Sequence, residues 1–420
     1  MNPLIAVIAD DLTGVCDTGA QFAAAGLRTI GSVDREFESE DIPQALIVNT
    51  QSRSMEGAKA SLCIGQAARS LKGFSPKWFF KKIDTALRGN IAIEVCSMME
   101  TLGVNLALYV AAIPGAGRTT VRGCQLFRGI PIKDSIHGED RLNPNPVLTS
   151  SNVELLSVLP GVGIEVIGLD EVRSGHLEIS HRPGEERKIL IFDSETDGDI
   201  DQIVRTSMKM DPSSFLYVGS FGLSSALGRH LAESLRITEK KRNTLNERTP
   251  FRRDKKALVV SGSSHPMARS QIAYLQRKRK VEVVQFDPED LTDRLEFCIL
   301  EAVRVSRILR DHQKGVVLAI GDSRPGPRKQ SQELVLALAK VANRLLDSCD
   351  VDALVLVGGE TGYAVCRAVG VKRIEIQGDI SFVAAYGKPE GFFKGLTTLV
   401  TKGGSLGEED TLEKILDFVC

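Results

Sequence analysis

LIAVIADDLTG, residues 4–14, is an apolar run that stops at two carboxylates and a helix-opening Thr-Gly. A run this short, with β-branched residues at Ile5, Val7 and Ile8, has the composition of a strand buried on both faces. Such strands belong to parallel sheets covered by helices. The segment that follows, VCDTGAQFAAAG, reads as a helix stopped at Gly26, a residue suited to the left-handed position after a helix end. Strand, acidic turn and helix make the first half of a βαβ unit, and ligands collect at the carboxyl ends of strands in such sheets. Asp10 and Asp11 therefore stand where a substrate hydroxyl would be met. Capping of the helix by one aspartate, with the other solvated, accounts for the same residues equally well.

The pattern recurs at Ala45–Asn49, Trp78–Ile83 and Leu106–Ala112, and again at Ala257–Val260, Val316–Ile320, Ala353–Val357 and Leu396–Val400. A chain of 420 residues exceeds one ordinary core. Between the two sets lies RITEKKRNTLNERTPFRRDKK, residues 236–256, charged and poor in apolar side chains as an exposed linker is. The expected fold is α/β with two domains, 1–235 and 257–420. Each is a mainly parallel sheet flanked by helices, with the active site in the cleft between them.

A formal net charge of -1 provides no basic stripe for a phosphate backbone, so nucleic acid is not an expected partner. The 8 cysteines are scattered without a C-x-x-C or a Cys/His pair of zinc spacing, which fits reduced thiols in the cytoplasm and no metal site. The apolar run before Asp10 is too short for a signal peptide or a membrane span. The sequence leaves a homodimer open.

Three charged or glycine-rich clusters follow strands in the first half. KKIDTALRGN, residues 81–90, sets Lys82 and Arg88 around Asp84, where a cationic pair beside a carboxylate can hold a small acid and still offer a base; a structural ion pair is the plain alternative. PGAGRTT, residues 114–120, could wrap an anion with backbone N–H groups and Arg118, or be a surface turn, and the stretch 123–132 after it reads as a hairpin. Ser52-Arg53 adds a further anion contact. In the second half Ser261-Gly262-Ser263-Ser264, Gly358-Gly359-Glu360-Thr361 and Lys402-Gly403-Gly404 each follow a strand, with Gly321-Asp322-Ser323 as a fourth turn. One such turn is an ordinary βα connection; three in one domain point to a nucleotide cradle, although no Walker A spacing occurs. Of the histidines, only His265 falls near a proposed site, with the character of a capping residue.

In this order the motifs resemble the four-carbon acid sugar kinases: ADDLTG at 9–14 with Asp17, KKID-x-x-LRGN at 81–90, P-x-x-GRTT at 114–120, SGS at 261–263, GGET at 358–361 and K-x-G-x-x-G at 402–407. The resemblance implies a first domain that holds the sugar acid and a second that holds ATP. It also implies transfer to the 4-hydroxyl of a tetronate, D-threonate before D-erythronate or 3-oxo-tetronate. On that reading Asp11 or Asp84 is the catalytic base, and Asp10, Arg53, Lys82, Arg88 and Arg118 bind the acid. Ser261, Gly262, Ser263, Gly358, Gly359, Glu360, Thr361, Gly403 and Gly404 hold the nucleotide, and Mg²⁺ arrives with ATP. Thr85-Ala86 departs from the family's usual Ser-Thr, and Ser264-His265 from its Cys-Ser. A sensor that binds both ligands without catalysis is the rival from another class.

Overall fold

The structure, a computed structural model, describes residues 2–35, 37, 41–138, 145–179, 185–237, 256–263, 265–307, 314–321, 328–391 and 395–420. It divides into two compact units, Met1–Arg242 and Asn243–Cys420. The stretch read as a linker lies mostly outside the described residues, as do Asp322 and Ser323.

The first unit opens with β1 (Ile5–Ala9), α1 (Leu12–Ala24), β2 (Thr29–Ser32) and β3 (Ala45–Asn49), then α2 (Gly57–Lys72), β4 (Trp78–Lys82), α3 (Ile91–Leu102) and β5 (Leu106–Val110). A small antiparallel sheet follows, made of β6 (Arg118–Val121), β7 (Cys124–Phe127) and β8 (Ile130–Pro131). After it come α4 (Asn152–Leu156), β9 (Val162–Ile167), α5 (Leu169–Arg173), β10 (Arg187–Phe192), α6 (Asp197–Ser207), β11 (Phe215–Gly219) and α7 (Phe221–Ser234). The main strands lie in the order β2-β3-β1-β4-β11-β5-β10-β9, parallel throughout. Every residue of β1, β3, β5 and β11 is buried, as their unbroken apolar runs require. The chain passes from β1 to β2 and β3 on one side and crosses to β4 on the other. β1 is therefore a topological switch point, the place where such sheets open a crevice.

The second unit contains β12 (Ala257–Ser261), α8 (Pro266–Arg277), β13 (Val281–Phe286), α9 (Pro288–Asp293), α10 (Leu295–Arg307), β14 (Gly315–Ile320) and α11 (Arg328–Ser348). It continues with β15 (Ala353–Val357), α12 (Gly359–Val369), β16 (Val371–Ile380), β17 (Ala384–Gly391), β18 (Thr398–Lys402) and α13 (Thr411–Val419). Its order is β13-β14-β12-β15-β18-β17-β16, with β17 antiparallel to both its neighbours. Among the described residues no helix is long and apolar enough to cross a membrane.

One of the two readings of 114–120 falls. The stretch 114–120 is not a glycine turn around an anion: Pro114–Ala116 is a 3₁₀ turn, and the N–H groups of Ala116, Gly117 and Arg118 bond to the carbonyls of Ile113 and Pro114. Those three donors are taken by the turn itself. The helix that follows β15 begins at Gly359, so Gly359, Glu360 and Thr361 form its first turn.

Candidate active site

Three strand ends meet at the switch point of the first unit. β1 delivers Asp10 and Asp11, the turn after β3 delivers Arg53, and β4 delivers Lys82 with Asp84 just beyond. Arg53 grips both aspartates: Nε and Nη2 each donate to Asp10 at 2.8 Å, and Nη1 donates to Asp11 Oδ2 at 2.6 Å. The other Asp11 oxygen accepts the Gly14 N–H at 2.7 Å, so Asp11 is also the N-cap of α1. Cap and site are one residue, and the two sequence readings of Asp11 merge.

Asp84 accepts a bond from Arg88 Nε at 2.6 Å. The turn between them carries Leu87 at φ 61°, a costly conformation for a bulky residue, and it returns the arginine to its aspartate. Gly89 follows at φ 95°; a Cβ there would stand 3.2 Å from Arg53 Cγ and 3.5 Å from Asp10 Oδ2. Only glycine lets the LRGN segment press against the first motif. Arg118 reaches in from β6, with Nη1 donating to the Thr85 hydroxyl and Nη2 lying 3.4 Å from His137 Nε2. All the proposed charged residues of this unit therefore gather in one cluster, with Asp17 adding attraction at Lys82 and Arg118.

Burial and neighbouring charge divide these groups. At Asp10 burial works upward, but Arg53, Lys81 and Lys82 outweigh it and the carboxyl sits below its ordinary value. At Asp11 burial prevails over Arg53, the Asp10 charge adds to it, and the carboxyl is raised. Burial is overcome at Asp84 by Arg88 and Arg53, which hold it well below the carboxylate range. Burial lowers Lys82 despite Asp10 and Asp11, and it brings Arg118 down to about 10 against the pull of Asp84.

Sequence reasoning missed several supports. Lys81 is fully buried and pairs with Glu94 Oε2 at 2.9 Å. Asn90 donates to the carbonyls of Ser52 and Met55, and Asn145 to those of Arg53 and Met55, fastening the turn that presents Arg53. His137 is 7% exposed and belongs to this cluster, which corrects the expectation that only His265 lies near a site. His265 itself caps α8, its Nδ1 accepting the Met267 N–H at 3.1 Å.

In the second unit the glycine turns converge by register. Ser261, Val357 and Lys402 are partners across β12, β15 and β18, so the turns that follow them emerge side by side. Gly262 N–H donates to Thr361 Oγ1 at 3.2 Å, and Gly358 N–H to Lys402 O at 2.8 Å. A Cβ on Gly404 would fall 2.3 Å from Ser263 Oγ and 3.0 Å from its Cβ. The serine oxygen can rotate away; its Cβ cannot. Among the described residues, Ser261 Oγ is buried without a hydrogen-bond partner. Among the described residues no group of three His, Cys, Asp or Glu side chains is placed to hold a metal.

Residues 5–227 match the family described as a sugar-binding N-terminal domain, and residues 258–412 match the nucleotide-binding C-terminal domain. The first match alone spans more than half of the chain. The chain is 28% identical to the D-threonate kinase of Salmonella typhimurium, covering 98% of this chain and 97% of that protein. It is 26% identical to the D-erythronate kinase of Heliobacterium modesticaldum and to the 3-oxo-tetronate kinase of Pseudomonas fluorescens, each over 99% of this chain and 97% of the relative. The chain belongs to the four-carbon acid sugar kinase family. It is a kinase of that family. The fold is that of a Salmonella typhimurium LT2 crystal structure, with TM-score 0.78, 19% identity and 98% of each chain covered. A Haemophilus influenzae protein shares it at TM-score 0.69 and 19% identity, over 99% of this chain and 100% of that one.

Proposed function

We propose that this kinase transfers the γ-phosphoryl group of ATP to the 4-hydroxyl of a four-carbon sugar acid, with D-threonate the first candidate and D-erythronate or 3-oxo-tetronate the alternatives. The observation that carries the reading is the gathering at one switch point of two guanidinium groups, Arg88 on Asp84 and Arg118 on Thr85, with two carboxyls, Asp11 and Asp84, that burial and neighbouring charge shift in opposite directions. Such a cluster suits an acid that must be held at one end and deprotonated at the other.

In this reading the first unit, 1–235, takes the sugar acid, and the second, 257–420, takes ATP. Arg88, Arg118 and Lys82 bind the substrate's carboxylate and hydroxyls, and Arg53 holds Asp10 and Asp11 in place. Asp11 is the better base of the two candidates. Its carboxyl is raised by burial, whereas Asp84 is held as a permanent anion by Arg88 and Arg53. The 4-hydroxyl oxygen forms a bond to the γ-phosphorus as the bond to the β-phosphate oxygen breaks; the hydroxyl proton passes to Asp11, and ADP leaves. The turns at Ser261, Gly262, Ser263, Gly358, Gly359, Glu360, Thr361, Gly403 and Gly404 hold the nucleotide. Mg²⁺, carried in on ATP, supplies charge neutralisation when bound.

An ADP-release assay with D-threonate, D-erythronate, 3-oxo-tetronate, a pentonate and glycerate tests this. Turnover is expected with a tetronate, with the phosphate on O4 by NMR. Stabilisation of the protein by tetronate and ATP without ADP release would establish the sensor instead.

A further inference from the structure

Arg118 does not sit on the main sheet. It projects from β6, and its orientation is decided by two side chains that the family motifs do not pair with it. Nη1 donates to the hydroxyl of Thr85, which is 3% exposed on the turn after β4. Nη2 lies 3.4 Å from Nε2 of His137. A guanidinium has no acceptor, so the arginine donates in both contacts, and the imidazole must present an unprotonated Nε2 with its hydrogen on Nδ1.

The position of the imidazole is built into the small sheet. Phe127 is the register partner of Arg118 across β6 and β7. The His137 ring meets Phe127 edge-on, with centroids 4.7 Å apart and planes at 81°. Its backbone N–H donates to Ser135 Oγ, which in turn donates to the Ile132 carbonyl at 2.7 Å, and Ile132 is fully buried. A cross-strand neighbour and an anchored turn thus bring the histidine to Nη2, while Thr85 meets Nη1.

We infer that Thr85 and His137 are positioning residues that fix the plane of the Arg118 guanidinium for the sugar acid, so that acceptor binding depends on the small antiparallel sheet as well as on the main-sheet strand ends. The inference rests on the proposed role of Arg118 in substrate binding. A planar fork recognises a carboxylate or a pair of hydroxyls only in the correct plane, and an unbraced arginine must lose side-chain freedom on each binding event. The bracing acts on affinity for the acid and leaves the phosphoryl-transfer step alone.

His137→Phe keeps the aromatic packing and removes the acceptor, and His137→Gln returns an acceptor. Thr85→Val and Thr85→Ser do the same for the hydroxyl. D-threonate, D-erythronate and 3-oxo-tetronate are each titrated at saturating ATP, and the acceptor with the lowest KM is followed. His137→Phe and Thr85→Val are expected to raise its KM about tenfold each, the scale of one charge-assisted hydrogen bond. kcat and the KM for ATP should stay within about twofold, and Gln and Ser should recover most of the loss. Arg118→Lys is the control for the underlying reading. If it raises the acceptor KM while both His137→Phe and Thr85→Val leave it unchanged, the positioning role is overturned and the binding role of Arg118 stands. If Arg118→Lys leaves the acceptor KM unchanged, both fall. Should His137→Phe fail to fold, the Thr85 pair decides the matter alone.

Discussion

The two units build their sites from opposite materials. The first uses long charged side chains locked to one another: one arginine on two aspartates, a second on Asp84, a third braced by a threonine and a histidine. The second uses the near absence of side chains, with Gly262 and Gly404 letting neighbouring turns approach closely and Gly358 turning the chain at φ 100°. A small acid with several hydroxyls is told from its relatives by where charges and hydrogen-bond partners stand, whereas a polyphosphate needs backbone donors and room. The comparison predicts that the first site breaks when a charge is removed and the second when a methyl group is added.

The largest effect is expected at Asp11. Asp11→Asn preserves the cap on Gly14 and removes the base, so kcat should fall by about 10²- to 10⁴-fold with the ATP KM little changed. Steady-state kinetics under saturating ATP check this, and near-full turnover would return the role to Asp84. A smaller effect belongs to the second unit. Gly404→Ala should raise the KM for ATP about tenfold through its clash with Ser263, and the acceptor KM should not move. The double variant Gly404→Ala/Ser263→Gly removes the opposing Cβ and should recover most of the affinity.

The smallest effect is a dependence on pH that sharpens the contrast. Asp84 is held well below its ordinary value of 3.8, so its ionised form stabilises the fold. That contribution is complete above the unfolded pKa and fades as pH falls from about 4 toward the folded value. Wild type should melt above Asp84→Asn at neutral pH, with the gap closing below about pH 4. Thermal melts across that window measure it. A gap that widens on acidification would mean that the Arg88 partnership does not hold the carboxylate.

Much of this was legible before any coordinates. The buried runs, the residues at their ends and the order of the motifs specify parallel sheets and where each cluster sits along the chain. What the sequence could not display is which clusters touch. Arg53 lies 43 residues from Asp10, and nothing local marks it as the clasp of that pair. His137 escaped notice because a lone histidine in a polar stretch has no periodicity, and its importance depends on a strand pairing that puts Phe127 opposite Arg118. Lys81 beside Lys82 reads as two equivalent cations, yet alternation sends Lys81 into the interior to meet Glu94. The stretch 114–120 is open to two readings in sequence, an anion loop or a surface turn, because composition does not separate them. Its glycines serve a 3₁₀ turn and a strand entry, where the N–H groups of Ala116, Gly117 and Arg118 bond within the turn.

The clasp of Arg53 on Asp10 and Asp11 has a consequence for the order in which the chain matures. During synthesis the two carboxylates leave the ribosome more than forty residues ahead of the arginine that donates to them through three nitrogens. Burying adjacent carboxylates in their charged form is expensive without a cation beside them, so the end of β1 gains a stable dry setting only once the turn after β3 brings Arg53 and β4 brings Lys82. β1, made before the turn that carries Arg53, is completed by it, and the arginine acts as the latch on its docking.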